Sequence, residues 1–229
     1  MMDTNTESNV SGQSRAVEDY LKAVYKLQQS EDSVSTTSLA EELGRSAASV
    51  TNMVKGLAGQ GLLQHTPYRG VRLTAFGEVT ALRIIRRHRV LELYLIEKLG
   101  FPWDDVHAEA ERLEHAASDG LIDRMAQALG EPSVDPHGSP IPTRDGEIMA
   151  TEWISLGDLE HGRHGVVREV SDGDGETLRK LAHLGLLPGT RIRLLEAMAD
   201  GGAHVEVDNH QMDIESTLAQ AVFVELEDT

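Results

Sequence analysis

The sequence predicts a mixed α+β protein: an N-terminal winged helix-turn-helix, a helical middle, and a small antiparallel β-barrel at the C-terminal end. Three observations predict this order. Apolar residues recur at helical spacing between Arg15 and Leu129, interrupted once, near Leu62, by a pattern of two short strands. Four of the seven prolines fall between Glu131 and Glu147, the mark of a linker. Beyond it come short Val- and Ile-rich runs separated by glycine turns, as in small all-β folds. The domains expected are 1–76, 77–146 and 147–229.

Residues 1–14 are polar and predict a disordered start. A first helix is expected from Arg15 to Gln29, with Val17, Tyr20, Leu21, Val24 and Leu27 on one side. Ser35 to Ser38 offers an N-cap, and Ser38-x-x-Glu41 reads as a capping box for a second helix ending at Gly44. Ser46 caps a third helix with Val50, Met53, Val54 and Leu57 inward. Two helices joined by so short a turn have helix-turn-helix spacing. The outward face of the third carries Ala47, Ala48, Ser49, Thr51, Asn52 and Lys55. Small residues let a helix approach base edges, and Ser, Thr and Asn can hydrogen-bond bases or phosphates. Leu62 to Leu73 reads as a hairpin, a wing placing Tyr68, Arg69 and Arg72 near the phosphate backbone. The DNA-facing set expected is therefore Ser46, Ala48, Ser49, Thr51, Asn52, Lys55, Tyr68 and Arg69. A small helical domain that binds protein is the alternative.

Thr74 caps a long helix reaching Leu99, apolar on more than one side, as a helix buried in a core or against a second subunit would be. Phe101-Pro102-Trp103 breaks it. A helix around His107 follows, then one from Ser118 to near Leu129. After the linker, strands are expected at 165–170, 191–195, 204–207 and 221–225, with a short helix from Thr177 to Leu184.

Net charge is −17, which argues against a nucleic-acid partner until its distribution is considered. From Leu43 to Val90 there are eight basic residues and one acid, Glu78. An acidic chain with one basic segment can bind phosphates through that segment. Cysteine is absent, which excludes disulfides, thiolate metal sites and cysteine nucleophiles. No apolar run has the roughly 18 residues of a membrane span. The N-terminus lacks a signal peptide's apolar core, so a cytoplasmic protein is expected.

The stretch with the most chemistry is His107 to His115. Positions 107, 111, 114 and 115 fall on one helix face and carry two imidazoles and two carboxylates. The carboxylates repel unless a cation sits between them. A solvated acidic face is the ordinary alternative. A second pair, His88 and Glu92, at i and i+4, weighs against it.

Three motifs then stand in order: Arg87-His88-Arg89-x-x-Glu92; Val106-His107-x-Glu-Ala-x-x-x-Glu114-His115-x-x-Ser-Asp; and Asp135-Pro-His-Gly-x-Pro-Ile-Pro142. Together they resemble the diphtheria-toxin-repressor family of metal-dependent transcriptional repressors, including its manganese-responsive branch, over nearly the whole length. The resemblance implies a winged helix, a helical dimerisation domain and an SH3-like C-terminal domain. It also implies a homodimer, a double-stranded DNA operator as partner, and two metal sites per subunit. It puts Asp19, Glu111, Glu114 and His115 at a primary, activating site, and His88, Glu92 and His107 at an ancillary site. A contact from the barrel completes the second, Asp174 or, as the alternative, Glu176. Iron-responsive members carry Met and Cys where this chain has Asp19 and Glu111. One manganese branch with closely paired metals has Glu where this chain has Lys22, so two separated sites are expected.

Oxygen and imidazole donors suit hard ions such as Mn(II), while sulfur suits softer ones. The expected function is a manganese-activated repressor that binds operator DNA, without membrane or small-molecule substrate. An Fe(II)-dependent repressor of the same architecture is one alternative. A metallohydrolase is another, disfavoured because there is no His-Glu-x-x-His motif and no carboxylate left over as general base. The remaining histidines have plain readings: His65 on the wing surface, His137 in a structural turn, and His161, His164, His183, His204 and His210 in solvent.

Overall fold

A computed structural model of the chain describes residues 14–66 and 69–227. The expected disordered start and the expected wing contact Tyr68 therefore lie outside the described residues, apart from Ser14. The chain divides into two compact units. One comprises Met1–His88, Arg112–Arg124 and Pro142–Ile148, the other Arg89–Glu111, Met125–Ile141 and Met149–Thr229.

The first unit opens with α1 (Arg15–Leu27), α2 (Thr36–Glu42) and α3 (Ala47–Gly59). A hairpin of β1 (Leu63–Thr66) and β2 (Gly70–Leu73) follows, antiparallel with Leu63 opposite Leu73. One core serves all five elements, with Leu21, Val24, Leu39, Val50, Val54, Leu57, Leu62 and Val71 buried in it. This is a winged helix-turn-helix. The second helix starts earlier than the capping-box pattern at Ser38 suggested. Ser35 is the N-cap, its hydroxyl accepting from the Ser38 amide at 2.9 Å, and Ser38 lies inside the first turn. Gly44 makes the turn between α2 and α3 with φ +59°, a left-handed conformation that glycine adopts at little cost. Ser46 caps α3, as read from sequence, accepting from the Ser49 amide at 3.3 Å. Gly77, at the start of α4 (Ala75–Leu99), lies so close to the hairpin that a Cβ there would overlap the Leu62 carbonyl oxygen.

The second unit holds the far part of α4, α5 (Val106–Leu113) up to Glu111, the proline-rich turn and the C-terminal sheet. The remaining strands are β3 (Ile154–Ser155), β4 (His164–Val170), β5 (Arg191–Ala197), β6 (Ala203–Val207), β7 (His210–Ile214) and β8 (Val222–Leu226). They form one antiparallel sheet in the order β3-β8-β4-β5-β6-β7. Two short helices, α7 (Gly175–His183) and α8 (Ser216–Gln220), accompany it, and Leu178, Leu181 and Leu218 join its core. Helix α6 (Asp119–Ala128) is shared out between the units at Arg124. Strands β3 and β7 and helix α8 were not expected from sequence. β7 follows β6 through Asp208 and Asn209, both with positive φ, the two-residue hairpin turn that right-twisted strands favour.

The 135–142 turn is fixed to this sheet. The Val170 amide donates to the His137 carbonyl at 2.9 Å, and the Ser139 hydroxyl donates to Glu169 at 2.6 Å. Gly138 has φ +92°, and a Cβ there would overlap the Arg168 carbonyl oxygen. No described helix is long and apolar enough to cross a membrane.

Candidate metal centres and DNA-facing helix

In the first unit, α1 brings Glu18, Asp19 and Lys22 to Glu114 and His115, which sit in the turn after α5. Asp19, Glu114 and His115 each offer one ligand atom, all within 4.8 Å of one another. His115 Nε2 lies 3.1 Å from Asp19 Oδ1 and 3.4 Å from Glu114 Oε1. Its other nitrogen, Nδ1, lies 2.6 Å from Glu18 Oε2. Glu18 is buried and is itself held by Arg87, whose Nη1 donates to Glu18 Oε1 at 3.0 Å and whose Nε donates to Asp119 at 2.9 Å. This is the arrangement in which a carboxylate fixes the tautomer and ring orientation of a metal-ligating histidine. Sequence reasoning missed Glu18. The signal was present: a carboxylate set among Val17, Leu21 and Val24, on the buried side of α1.

Glu114 is 1% exposed, and Lys22 Nζ donates to both its oxygens at 3.0 Å. His88 Nδ1 lies 2.6 Å from Glu114 Oε2. Burial opposes the charge on Glu114, but His88 and Lys22 outweigh it and hold its pKa below the usual carboxylate range.

In the second unit, Glu92, 0% exposed, lies with Oε1 3.1 Å from His107 Nδ1, and Asp172 Oδ2 lies 3.6 Å from the same nitrogen. Burial works against a charged His107, yet Asp172 and Glu92 prevail and raise its pKa to about 10. Glu111, expected at the primary site, belongs to this unit, its Oε1 3.9 Å from His107 Nε2.

The structure does not bring the expected barrel residue to His107. Asp174 is exposed and caps α7: Oδ1 accepts from the Glu176 and Thr177 amides at 2.8 and 3.0 Å, and Oδ2 from the Thr177 hydroxyl at 2.6 Å. The Thr177 bonds hold its pKa down. Glu176, the alternative, points instead to Lys180 at 2.9 Å. Asp172, two residues before Asp174, is the carboxylate present.

Asp135 is pushed up to about 8 by burial and by the Glu92 charge, with Arg89 pulling the other way. His137 is fully buried in the turn where the sequence placed it, and His204, expected in solvent, is half-buried and 2.6 Å from Asp213.

The third helix presents the face expected for DNA. Ser46, Ala48, Ser49, Asn52 and Lys55 are exposed, as is Arg69 in the wing, while Val50, Val54 and Leu57 are buried. Thr51 is half-buried and bonds back to the Ala47 carbonyl at 2.8 Å.

Both donor sets are oxygen and imidazole without sulfur, which fits a hard divalent cation. The comparisons with known proteins define the class of such a molecule. Three family models match in series: the iron-dependent repressor N-terminal DNA-binding domain at 13–71, the iron-dependent repressor metal-binding and dimerisation domain at 74–143, and the FeoA domain at 154–226. The chain belongs to the iron-dependent repressor family, which includes the diphtheria toxin repressors. It is 30% identical to the iron-dependent repressor IdeR of Mycobacterium tuberculosis, over 90% of this chain and 95% of that one. Among solved structures it is 40% identical to a manganese-dependent transcriptional repressor in complex with manganese, covering 92% of this chain and 100% of that one, with a TM-score of 0.87. The manganese regulator SloR is 31% identical over 92% of this chain and 98% of its own, with a TM-score of 0.78.

Proposed function

We propose that this protein is a manganese-activated, homodimeric repressor that acts in the cytoplasm and binds double-stranded operator DNA. The observation that carries manganese over iron is the donor set: Asp19, Glu114 and His115 in one unit, Glu92, His107 and Asp172 in the other, in a chain without cysteine. Hard donors leave Mn(II) at little disadvantage, whereas thioether and thiolate would favour Fe(II) and later metals. The likeness to two manganese-responsive repressors supports the same choice. We read the chain as a DNA-binding domain over 1–76, a metal-binding and dimerisation domain over 77–146 and an SH3-like domain over 147–229. The description of the second family model, at 74–143, supports the dimer.

Two ions per subunit are proposed. The primary ligands are Asp19, Glu114 and His115, with Glu111 from one turn earlier in α5. The ancillary ligands are His88, Glu92 and His107, with Asp172 replacing Asp174 as the barrel contribution. The bound ion supplies positive charge that lets clustered carboxylates share one position. Glu18 aims His115 Nε2, Arg87 holds Glu18, and Asp19 ties α1 to the turn after α5. Helix α1 packs in the same core as α3, so ordering α1 orders the helix that meets DNA.

The test is DNA binding by fluorescence anisotropy with Mn(II), with Fe(II) under anaerobic conditions, and with chelator. Activation by micromolar Mn(II) is expected. A protein that ignores Mn(II) and answers Fe(II) would be the iron-dependent alternative, and binding indifferent to chelator would end the metal model. Hydrolysis of an ester in the metal-loaded state would revive the hydrolase reading. Lys55→Ala and Arg69→Ala should weaken binding to all sequences and shallow the salt slope by about 0.9 for each phosphate no longer neutralised. Asn52→Ala should instead relax base preference at a cost of roughly 1–3 kcal/mol.

A further inference from the structure

We propose that Gln28 is a positioning residue for the wing: it ties the end of α1 to the outer edge of β2, so that an ion held near the start of α1 also sets Arg69 against the phosphate backbone. The coupling rests on the manganese reading above. The contact itself follows from the strand geometry.

Val71, within β2, donates to the Val34 carbonyl at 2.9 Å and accepts from the Val34 amide at 3.0 Å. Its backbone groups therefore face away from β1, although His65 of β1 lies opposite it. In an antiparallel ladder this facing alternates along the strand, so Leu73 turns its amide to the same outer edge. Val34 forms an isolated bridge, and its pairing stops before Leu73. Gln28 Oε1 stands where the carbonyl of a third strand would be and accepts from the Leu73 amide at 2.8 Å. A partly buried edge amide is destabilised when it has no such acceptor.

The opposite end of β2 is held from the same segment of chain. The Ser33 hydroxyl donates to the Arg69 carbonyl at 2.5 Å. Gly70, with φ +96°, lies so close that a Cβ there would overlap Ser33 Oγ and the Val34 carbonyl oxygen. The residue proposed to meet phosphate is thus hung, through β2, between Ser33 and Gln28. Gln28 differs from Ser33 in belonging to the helix. It is the C-cap of α1, with φ −69° and ψ −10°, and its amide donates to the Val24 carbonyl at 3.0 Å. Leu21 and Val24, at 0% exposure, hold α1 in the core, so the helix moves as one piece. About 13 Å of helix joins Asp19 to Gln28. Fixing Asp19 Oδ1 beside His115 Nε2 therefore fixes the glutamine that aims the wing. Apolar packing holds the hairpin on α1 without setting its tilt, because burial is not directional. A hydrogen bond is directional.

The test compares Gln28→Met, which keeps the length of the side chain and removes the acceptor, with Gln28→Glu, which keeps an acceptor oxygen. In saturating Mn(II), Gln28→Met should bind operator DNA roughly 2- to 10-fold more weakly, the loss of one hydrogen bond. Its salt slope should be shallower by about 0.9, the loss of one phosphate contact. In an Arg69→Ala background it should cost little further, since both changes remove the same contact. Gln28→Glu should match the native protein in affinity and slope. Isothermal titration without DNA should find the metal sites still filled by Mn(II) in both variants. Hydrogen–deuterium exchange over 69–76 should slow on adding Mn(II) in the native protein and in Gln28→Glu, and stay fast in Gln28→Met. A Gln28→Met protein with the native salt slope and the native exchange response would overturn this inference and leave the manganese reading standing. So would an affinity loss that adds in full to that of Arg69→Ala, the mark of a residue that does not act through the wing. A native protein whose DNA binding ignores Mn(II) would overturn both.

Discussion

The two acidic clusters use the same side chains and balance their charge by different means. Around Glu18, Asp19 and Glu114 the chain supplies fixed cations: Lys22 on both oxygens of Glu114, and Arg87 on Glu18. Around Glu92, Asp172 and Asp135 much of the compensation is by proton. His107 is raised to about 10 and Asp135 to about 8, so both hold a proton at neutral pH when no other cation is near. A divalent ion entering the first cluster must draw Glu114 away from a lysine. One entering the second must displace protons, and its uptake releases them. The first cluster is thus built to keep its shape without metal, and the second to be sensitive to what surrounds it.

The largest effect expected in breaking this comparison is loss of the first cluster's own donors. His115→Ala or Glu114→Ala should abolish metal-stimulated DNA binding at ordinary salt, a loss of at least about 100-fold, on the order of 3 kcal/mol or more. Operator affinity equal to the native protein's in either variant would remove both from the activating site. Glu18→Gln should come next, with metal affinity reduced roughly 10–100-fold, the range for removing a partner that orients a ligand histidine. Isothermal titration with Mn(II) checks it, and an unchanged affinity would make Glu18 a purely structural residue.

Lys22→Met sharpens the contrast through two readouts of opposite sign. Without metal, the buried Glu114 loses its ammonium partner, and stability should fall by on the order of 1–3 kcal/mol. With metal, Glu114 no longer has to be drawn from a lysine, and half-maximal DNA binding should need about tenfold less Mn(II). A variant that is less stable and also needs more Mn(II) would show Lys22 to support the site rather than compete for it.

The smallest effect concerns protons in the second cluster. His107 has a folded-state pKa raised from 6.5 to about 10. The stability it contributes is fully present below pH 6.5 and is lost as pH rises through about 10. In chelator, the native protein's melting temperature should decline across that window more steeply than that of His107→Gln. Parallel curves would mean that the His107 proton is not the counter-charge.

What the sequence made legible follows from how local each signal is. The winged helix was readable because caps at Ser46 and Thr74, apolar spacing in α1 and α3, and the paired runs of the hairpin all agree. Glu114 and His115 were readable from their spacing after His107 and Glu111, although the helix expected to carry all four ends at Leu113 and leaves these two in the turn that follows. Asp172 was not, because barrel loops carry acids at 172, 174 and 176 and only the fold decides among them. A hint existed: Asp174 stands three residues before Thr177 at a helix start, the pattern of an N-cap whose oxygens are already engaged. Glu18 was hidden by the opposite problem, a charged side chain in a position that helical spacing assigns to the core. Strand β7 was missed because Gln211 and Asp213 give it a polar face and His210 dilutes the apolar one, and only the turn at Asp208 and Asn209 announced it.

Gly138 carries a consequence for anyone screening this protein by random mutagenesis. It has no side chain with which to hold an ion. Yet its missing Cβ is what lets the turn with Asp135 and His137 lie against the backbone of β4 at Arg168. Any replacement lifts that turn from the strand and carries both side chains with it. In a selection for derepressed clones, this glycine should be recovered alongside the acids and imidazoles, and a reader of the resulting map would take an inert residue for part of the chemistry.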